Sequence, residues 1–417
     1  MSLSPIVKDR ILSDIAARSD ERSAFLAKLV QTPSSNPPGD CAPIADVATE
    51  LLEALGLEVE RHMVPEALVK RAGMVSATNL VVRRRFGADG SGNGPVIALN
   101  AHGDVVAPGE GWTHPPFGAE VEDGVMYGRG VAVSKSDFAT YAFALLALQT
   151  VAESLKGTVE LHFTFDEEAG GLLGPKRLLD EGIVKPDYCI SAGLAYSIVT
   201  AHNGVLHLQV TIRGRSAHAA APETGADALE AMTRVLKTLY RERKEYRARV
   251  SKHPGIGHPN LTIGLISGGI NTNVVPDKVT IRLDRRLTPE EDPAQVEAHL
   301  RLVIARSVAQ LRGVEVETER ILLASALRQL PGAEVLIEPL RRNATEILGE
   351  APKVEGVPLY TDARLYAEAG IPTVGYGAGP HSFLEANGHR ADERLKLSDL
   401  DAATKIVALS LAEILAA

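Results

Sequence analysis

Residues 96–104 read Val-Ile-Ala-Leu-Asn-Ala-His-Gly-Asp. The first five form a short apolar run of strand length, and the run breaks off into a polar cluster at Ala101 to Asp104, as a buried strand feeding a loop does. The pattern recurs at 158–168, where Thr158 to Phe165 alternates as a strand and ends in Asp166-Glu167-Glu168. Between the two, 137–154 (DFATYAFALLALQTVAES) predicts a buried helix opened by Asp137 as its N-cap. Polar side chains that collect where strands end predict an α/β sheet with a site outside the carboxyl ends of its strands.

Working outward, residues 8–30 carry helical apolar spacing, 32–39 (TPSSNPPG) is a loop by composition, 43–56 is an amphipathic helix and Leu80 to Arg83 a strand. The middle of the chain changes character. Strands at 206–213, 260–266, 278–285 and 314–319 alternate with helices at 226–242 and 293–311, a βαββαβ run. Such a run predicts a four-stranded sheet with two helices on one face, folding as an insert. The α/β pattern resumes with a helix at 333–348, a strand at 371–376 and a closing helix at 398–415. The expected division is therefore 1–205 and 320–417 as one domain, split by an insert at 206–319.

The length of 417 residues agrees with two domains, because a single core stops growing at roughly 250 to 300 residues. A hydrophobic share of 45% and a charged share of 23% belong to a globular chain. The net charge of -9, without a long basic block, argues against nucleic acid as a partner. No stretch of about 18 apolar residues predicts a membrane span, and the start lacks the pattern of a secretory signal, so a cytoplasmic location is expected. Cys41 and Cys189 are the only cysteines, which excludes a disulfide scaffold.

Three polar groups carry candidate chemistry. His102 and Asp104 stand two apart after a strand, so the aspartate can accept the free ring N–H and fix the histidine tautomer; taken alone, such a pair is as readily structural. Asp166-Glu167-Glu168 offers one carboxylate to a metal and a neighbour to activate water, or else forms a solvated acidic turn. His389, followed by Asp392 and Glu393, adds an imidazole in a Gly- and His-rich loop.

In order and spacing these groups resemble the metal-dependent aminoacylase and carboxypeptidase family, which includes acetylornithine deacetylase, succinyl-diaminopimelate desuccinylase and glutamate carboxypeptidase. The resemblance covers nearly the whole chain: His102-Gly-Asp104, Tyr127-Gly-Arg-Gly130, Asp166-Glu-Glu168, Gly214-Arg-Ser-Ala-His218 with Pro222, Asn271-Thr-Asn-Val-Val-Pro276, Asp284 and Arg286, Thr361-Asp362, and His389 with Asp392-Glu393. It implies a zinc-peptidase-like α/β catalytic domain with a mixed sheet, and an inserted ferredoxin-like domain that makes a homodimer. It further implies His102, Glu168 and His389 as metal ligands with Asp104 behind His102. Glu167 becomes the general base, and His218, supplied across the dimer, the oxyanion donor. Asn273 and Arg286 fall on positions that grip a substrate carboxylate; the residues themselves also allow Asn273 to cap its turn and Arg286 to pair with Asp284.

Two positions depart from that pattern. Val133 stands where the family has the aspartate that bridges two ions, and Gly193 where it has a terminal glutamate ligand. Without those charges a dinuclear centre is electrostatically disfavoured, and one ion is expected, zinc or else manganese, iron or cobalt. Asp137, Ser191, His202 and His381 are the nearby substitutes in sequence, each read as structural. The expected activity is hydrolysis of an amide or related C–N bond in a small carboxylate-bearing molecule. The alternatives are a non-peptide aminohydrolase on the same scaffold and a non-catalytic binding protein with a decayed metal site.

Overall fold

A computed structural model of the chain describes residues 3–87, 90 and 92–416. The chain divides into two compact units, one running to Thr200 and including Gln329–Val354 and the residues from Thr361 onward, the other comprising Ala201–Arg328 with Glu355–Tyr360.

The first unit is an α/β fold built on an eight-stranded mixed sheet, in the order Val59–Met63, Thr78–Phe86, Gly157–Thr164, Val96–His102, Tyr188–Ser191, Thr373–Gly375, Ser197–His202 and Lys353–Val357. Val96–His102 runs parallel to both Gly157–Thr164 and Tyr188–Ser191, and Tyr188–Ser191 parallel to Thr373–Gly375. The register sets His102 beside Thr164, Asn100 beside Ser191 and Ser191 beside Gly375. Four strands thus end at one level, and the segments after them, at 103–104, 165–168, 192–193 and 376–378, leave the sheet together.

Alternation along Val96–His102 supplies both faces. Ile97, Leu99 and Ala101 join the main core with the helix Lys135–Gln149, whereas Ala98 packs with Cys189 and Tyr366 on the other side. Lys135–Gln149 is buried from Lys135 to Leu148, as its nearly continuous apolar sequence requires. Its start differs from the expectation. Ser134 holds the N-cap position and Asp137 lies inside the first turn, with its carboxylate engaged elsewhere. The apolar spacing at 8–30 resolves into two helices, Pro5–Ala17 and Ser19–Val30, with Arg18 between them. A three-stranded sheet of Arg394–Lys396, Val125–Tyr127 and Glu120–Glu122 has strands too short for the pattern to show.

In the second unit Asn260–Gly268, Lys278–Leu287, Gly204–Arg213 and Glu315–Ala324 form, in that order, an antiparallel sheet. Leu206, Leu208, Val210 and Ile212 face the helices Ala228–Tyr246 and Pro293–Val308 in one cluster. Asp227 and Asp292 cap these helices, each accepting two backbone N–H bonds. The unit extends beyond 206–319 because its first and last strands in the chain, Gly204–Arg213 and Glu315–Ala324, are longer than their apolar cores. It also recruits a later segment: Gly356 N donates to Pro254 O at 2.7 Å and Asn203 N to Val357 O at 3.3 Å. Among the described residues no helix is long and apolar enough to cross a membrane.

Candidate active site

His102 closes its strand as a buried side chain, and its backbone exchanges two 3.1 Å hydrogen bonds with the Ser134 hydroxyl. Ring Nδ1 lies 2.9 Å from the Asp104 carbonyl oxygen and 3.3 Å from its carboxylate, so Nδ1 carries the proton and Nε2 is directed toward Glu167, 3.9 Å away. Burial opposes ring protonation, but Glu167, Asp104 and Glu168 together outweigh it and hold the His102 pKa well above its usual value.

Asp104 is fully buried and does more than orient the histidine. Its carboxylate accepts from Asn36 Nδ2 at 2.9 Å, from Glu167 N at 3.2 Å and from Glu168 N at 3.1 Å. The 3-10 turn Glu167–Ala169 is therefore pinned to the end of the neighbouring strand by its own backbone. Asn36 was invisible from sequence, since nothing in a Pro-rich loop 68 residues away signals a partner for Asp104. Glu167 is buried, and burial pushes its carboxyl well above the usual carboxylate range, against the pull of His102 and with repulsion from Glu168 and Asp362.

Glu168 Oε1 meets His389 Nε2 at 3.3 Å. Two donors about 2.1 Å from one tetrahedral ion stand roughly 3.4 Å apart, so this pair fits the donors of a single divalent ion. His389 takes a left-handed backbone, φ 62°, and its ring packs edge-on to Phe383. Its loop is held by Asp392, which accepts from Thr113 N at 2.8 Å, Thr113 Oγ1 at 2.9 Å and His114 N at 3.2 Å. Buried Glu393 accepts from Arg129, Ala132 N and Val133 N. The structure does not bring His102, Glu168 and His389 into one ligand group: among the described residues no three His, Cys, Asp or Glu side chains are placed to hold an ion. His102 is turned to Glu167 instead.

A second ion has no donors at the two departing positions. Val133 is half-buried and packs against the core, and Gly193 has no side chain. A Cβ on Gly193 would lie 2.7 Å from Tyr376 N, so the backbone there is closed against a larger residue. Asp137 fills this region from below. Its buried carboxylate accepts from Gly193 N at 3.2 Å and Ala378 N at 2.7 Å, and burial raises its pKa to about 7. Gly377 has to be glycine, because a Cβ there would collide with that carboxylate. Both Asp137 oxygens are engaged, Ser191 Oγ donates to Asn100 at 3.1 Å, and His381 stacks on Tyr196 between Glu350 and Glu385. His202 lies in the second unit, with Nδ1 2.8 Å from Asn203 O.

Three more candidates belong to the second unit. His218 is exposed; its Nδ1 accepts from Ala220 N at 3.1 Å, which leaves Nε2–H as a donor. The backbone bridges His218 to Val274, and Ala219 N donates to Asn273 O at 3.0 Å, so His218 and Asn273 are neighbours. Asn271, not Asn273, caps the turn, through Thr272 N at 2.8 Å. Arg286 Nε donates to Asp284 at 3.0 Å, and Asp284 also meets His207 at 3.1 Å.

A buried glutamate beside an oriented histidine, with a glutamate–histidine pair next to it, at the carboxyl ends of parallel strands, offers the residue types by which a hydrolase directs water at a carbonyl. The model of peptidase family M20/M25/M40 matches residues 98–413, and the chain belongs to this family, whose members are metallohydrolases acting on C–N bonds and using divalent metals. The succinyl-diaminopimelate desuccinylase of Acidiphilium cryptum is 28% identical over 393 residues, covering 91% of this chain and 94% of the relative. Among solved structures, an M20 metallo-carboxypeptidase of Sulfolobus solfataricus shares the fold with TM-score 0.75 at 18% identity, covering 94% of this chain and 99% of that one. A dinuclear metal-binding M20 peptidase of Bacillus subtilis shares it with TM-score 0.67 at 18% identity, covering 96% and 99%.

Proposed function

We propose that this chain hydrolyses an amide bond in a small carboxylate-bearing molecule, with Glu167 as general base and a single divalent ion. The observation that carries the reading is the buried Glu167 carboxyl, raised in pKa and held against His102 by the Asp104 network. A base whose pKa is moved toward neutrality is matched to taking and returning a proton near pH 7.

Glu168 and His389 would hold the ion, and His102 would join them as third ligand only by turning from Glu167; when bound, the ion would polarise the scissile carbonyl and acidify water. Glu167 takes the water proton and delivers it to the leaving nitrogen. His218 Nε2–H, supplied across the dimer, is the donor for the oxyanion, and Asn273 beside it, with the Asp284-oriented guanidinium of Arg286, receives the substrate carboxylate. The homodimer is part of this proposal, with the second unit as the pairing domain. The two unpaired, buried cysteines, Cys41 and Cys189, favour a cytoplasmic setting.

Glu167→Gln tests the reading on a panel of N-acyl amino acids, dipeptides and aryl amides. Turnover should fall by about 10²- to 10⁴-fold, the worth of a positioned general base, while metal content by elemental analysis stays at one ion per chain. Retained turnover removes Glu167 from the mechanism, and protein that neither contains nor is stabilised by a divalent ion overturns the metal assignment.

A further inference from the structure

Five cations of the second unit are paired with carboxylates. Arg234 meets Glu230 at 3.1 Å, Arg301 and Arg320 each reach Glu297 at 2.7 Å, Arg285 meets Glu291 at 2.5 Å and Arg286 meets Asp284 at 3.0 Å. At the end of helix Ala228–Tyr246 three others gather at one pocket. Arg243, Lys244 and Arg247 line a cavity of about 730 Å³ together with His258 and Asn260, and no acidic side chain lines it. Among the described residues none of the three cations has a carboxylate partner. Arg243 lies over the Tyr240 ring at 4.6 Å, which orients its guanidinium without neutralising it.

Of the other two lining groups, His258 has Nδ1 2.7 Å from Pro259 O, so that its ring proton is engaged there, and Asn260 presents a donor. Asn260 Oδ1 accepts from Leu261 N at 2.9 Å, which leaves its NH₂ free to donate. A helix C-terminus favours cations by only about 0.3–1 kcal/mol each. That explains basic residues in the last turn; it does not explain three of them converging, against mutual repulsion, on one cavity without an acid.

We propose that this cavity binds a small polyanion of the phosphate-bearing class, a nucleoside polyphosphate or a metabolite with two or more phosphate charges. Guanidinium forks match phosphate oxygens with paired hydrogen bonds, and lysine adds a point charge. The volume lies within the roughly 300–1,000 Å³ of small-molecule sites. The site is confined to the second unit, so it stands or falls apart from the hydrolytic reading.

Calorimetric titration of the intact protein with inorganic pyrophosphate and with ADP tests it. Saturable binding of one ligand per chain is expected, weakening with added salt. The double variant Arg243→Gln/Arg247→Gln should raise Kd at least about tenfold, as loss of charge-assisted hydrogen bonds does; the single Lys244→Gln gives the same direction should the double variant fold poorly. Lys237→Gln, on the same helix outside the cavity, should leave Kd unchanged. Equal affinity for the two probes assigns recognition to the phosphates, and tighter ADP adds the rest of the cavity; both support the site. No saturable binding, an equal loss in Lys237→Gln, or loss of binding in Glu168→Gln, which would move the anion to the metal centre, overturns it.

Discussion

Two buried aspartates, Asp104 and Asp137, anchor opposite halves of the candidate site, and they do so in the same way with opposite results. Each accepts two backbone N–H groups from segments that follow neighbouring strands. Around Asp104 those segments carry ionisable side chains: His102, Glu167 and Glu168. Around Asp137 they carry Gly193 and Ala378, with Val133 on the loop before the helix. A buried carboxylate that satisfies backbone donors holds strand ends in place whatever their side chains do. The backbone around Asp137 is therefore held although Val133 and Gly193 carry no ligand groups.

The comparison breaks most sharply at Asp104. Asp104→Ala leaves Asn36 Nδ2 and the amides of Glu167 and Glu168 without their acceptor, at about 3–5 kcal/mol for several unsatisfied buried donors. Urea unfolding of the metal-free protein should show that loss. A loss below about 1 kcal/mol would mean that water replaces the carboxylate and that the Glu167–Ala169 turn does not depend on it.

Such dependence explains which parts were readable from sequence. The strand ends at Asn100–Asp104 and Phe165–Glu168 stand out because an apolar run stops at charged groups, and the inserted βαββαβ unit stands out because its strands and helices keep separate periods. Ser134 as the helix start was not readable: Ser134 and Asp137 are equally good N-caps by residue type, and the bonds from Gly193 N and Ala378 N are what engage the Asp137 carboxylate elsewhere. Strand Val59–Met63 is half-buried without apolar alternation, and Thr373–Gly375 is too short to mark its own bounds. The chemical identities in the site were legible and their grouping was not. Nothing in the sequence turns His102 toward Glu167 or joins Glu168 to His389.

Gly193→Glu restores the residue type that the family pattern has at this position, and so sharpens the contrast between residue and framework. The Gly193 Cβ position is already crowded by Tyr376 N, Gly375 C and Tyr376 Cα at 2.7–3.0 Å. The substitution should lower stability by about 2–3 kcal/mol, as overpacking does, without adding a second ion by elemental analysis. Unchanged stability with two ions per chain would show that the Tyr376 backbone yields and that only the side chain had been lost.

The effect that is smallest per pH unit separates the two aspartates. Burial raises the Asp137 pKa to about 7 in the folded chain, against about 3.9 when unfolded. A raised folded pKa means that the native state holds the proton more tightly. The stability it contributes is complete below pH 4 and is lost as pH rises toward 7, by at most about 1.4 kcal/mol per unit. Asp137→Asn cannot titrate and should remove this slope, while costing a constant amount because its NH₂ faces a backbone N–H. The readout is the difference between the two unfolding free energies across pH 4 to 8, in which shifts from other carboxyl groups cancel. A difference independent of pH would mean that the two N–H bonds already keep Asp137 ionised, and that this half of the site carries a negative charge at neutral pH although Val133 and Gly193 bring none.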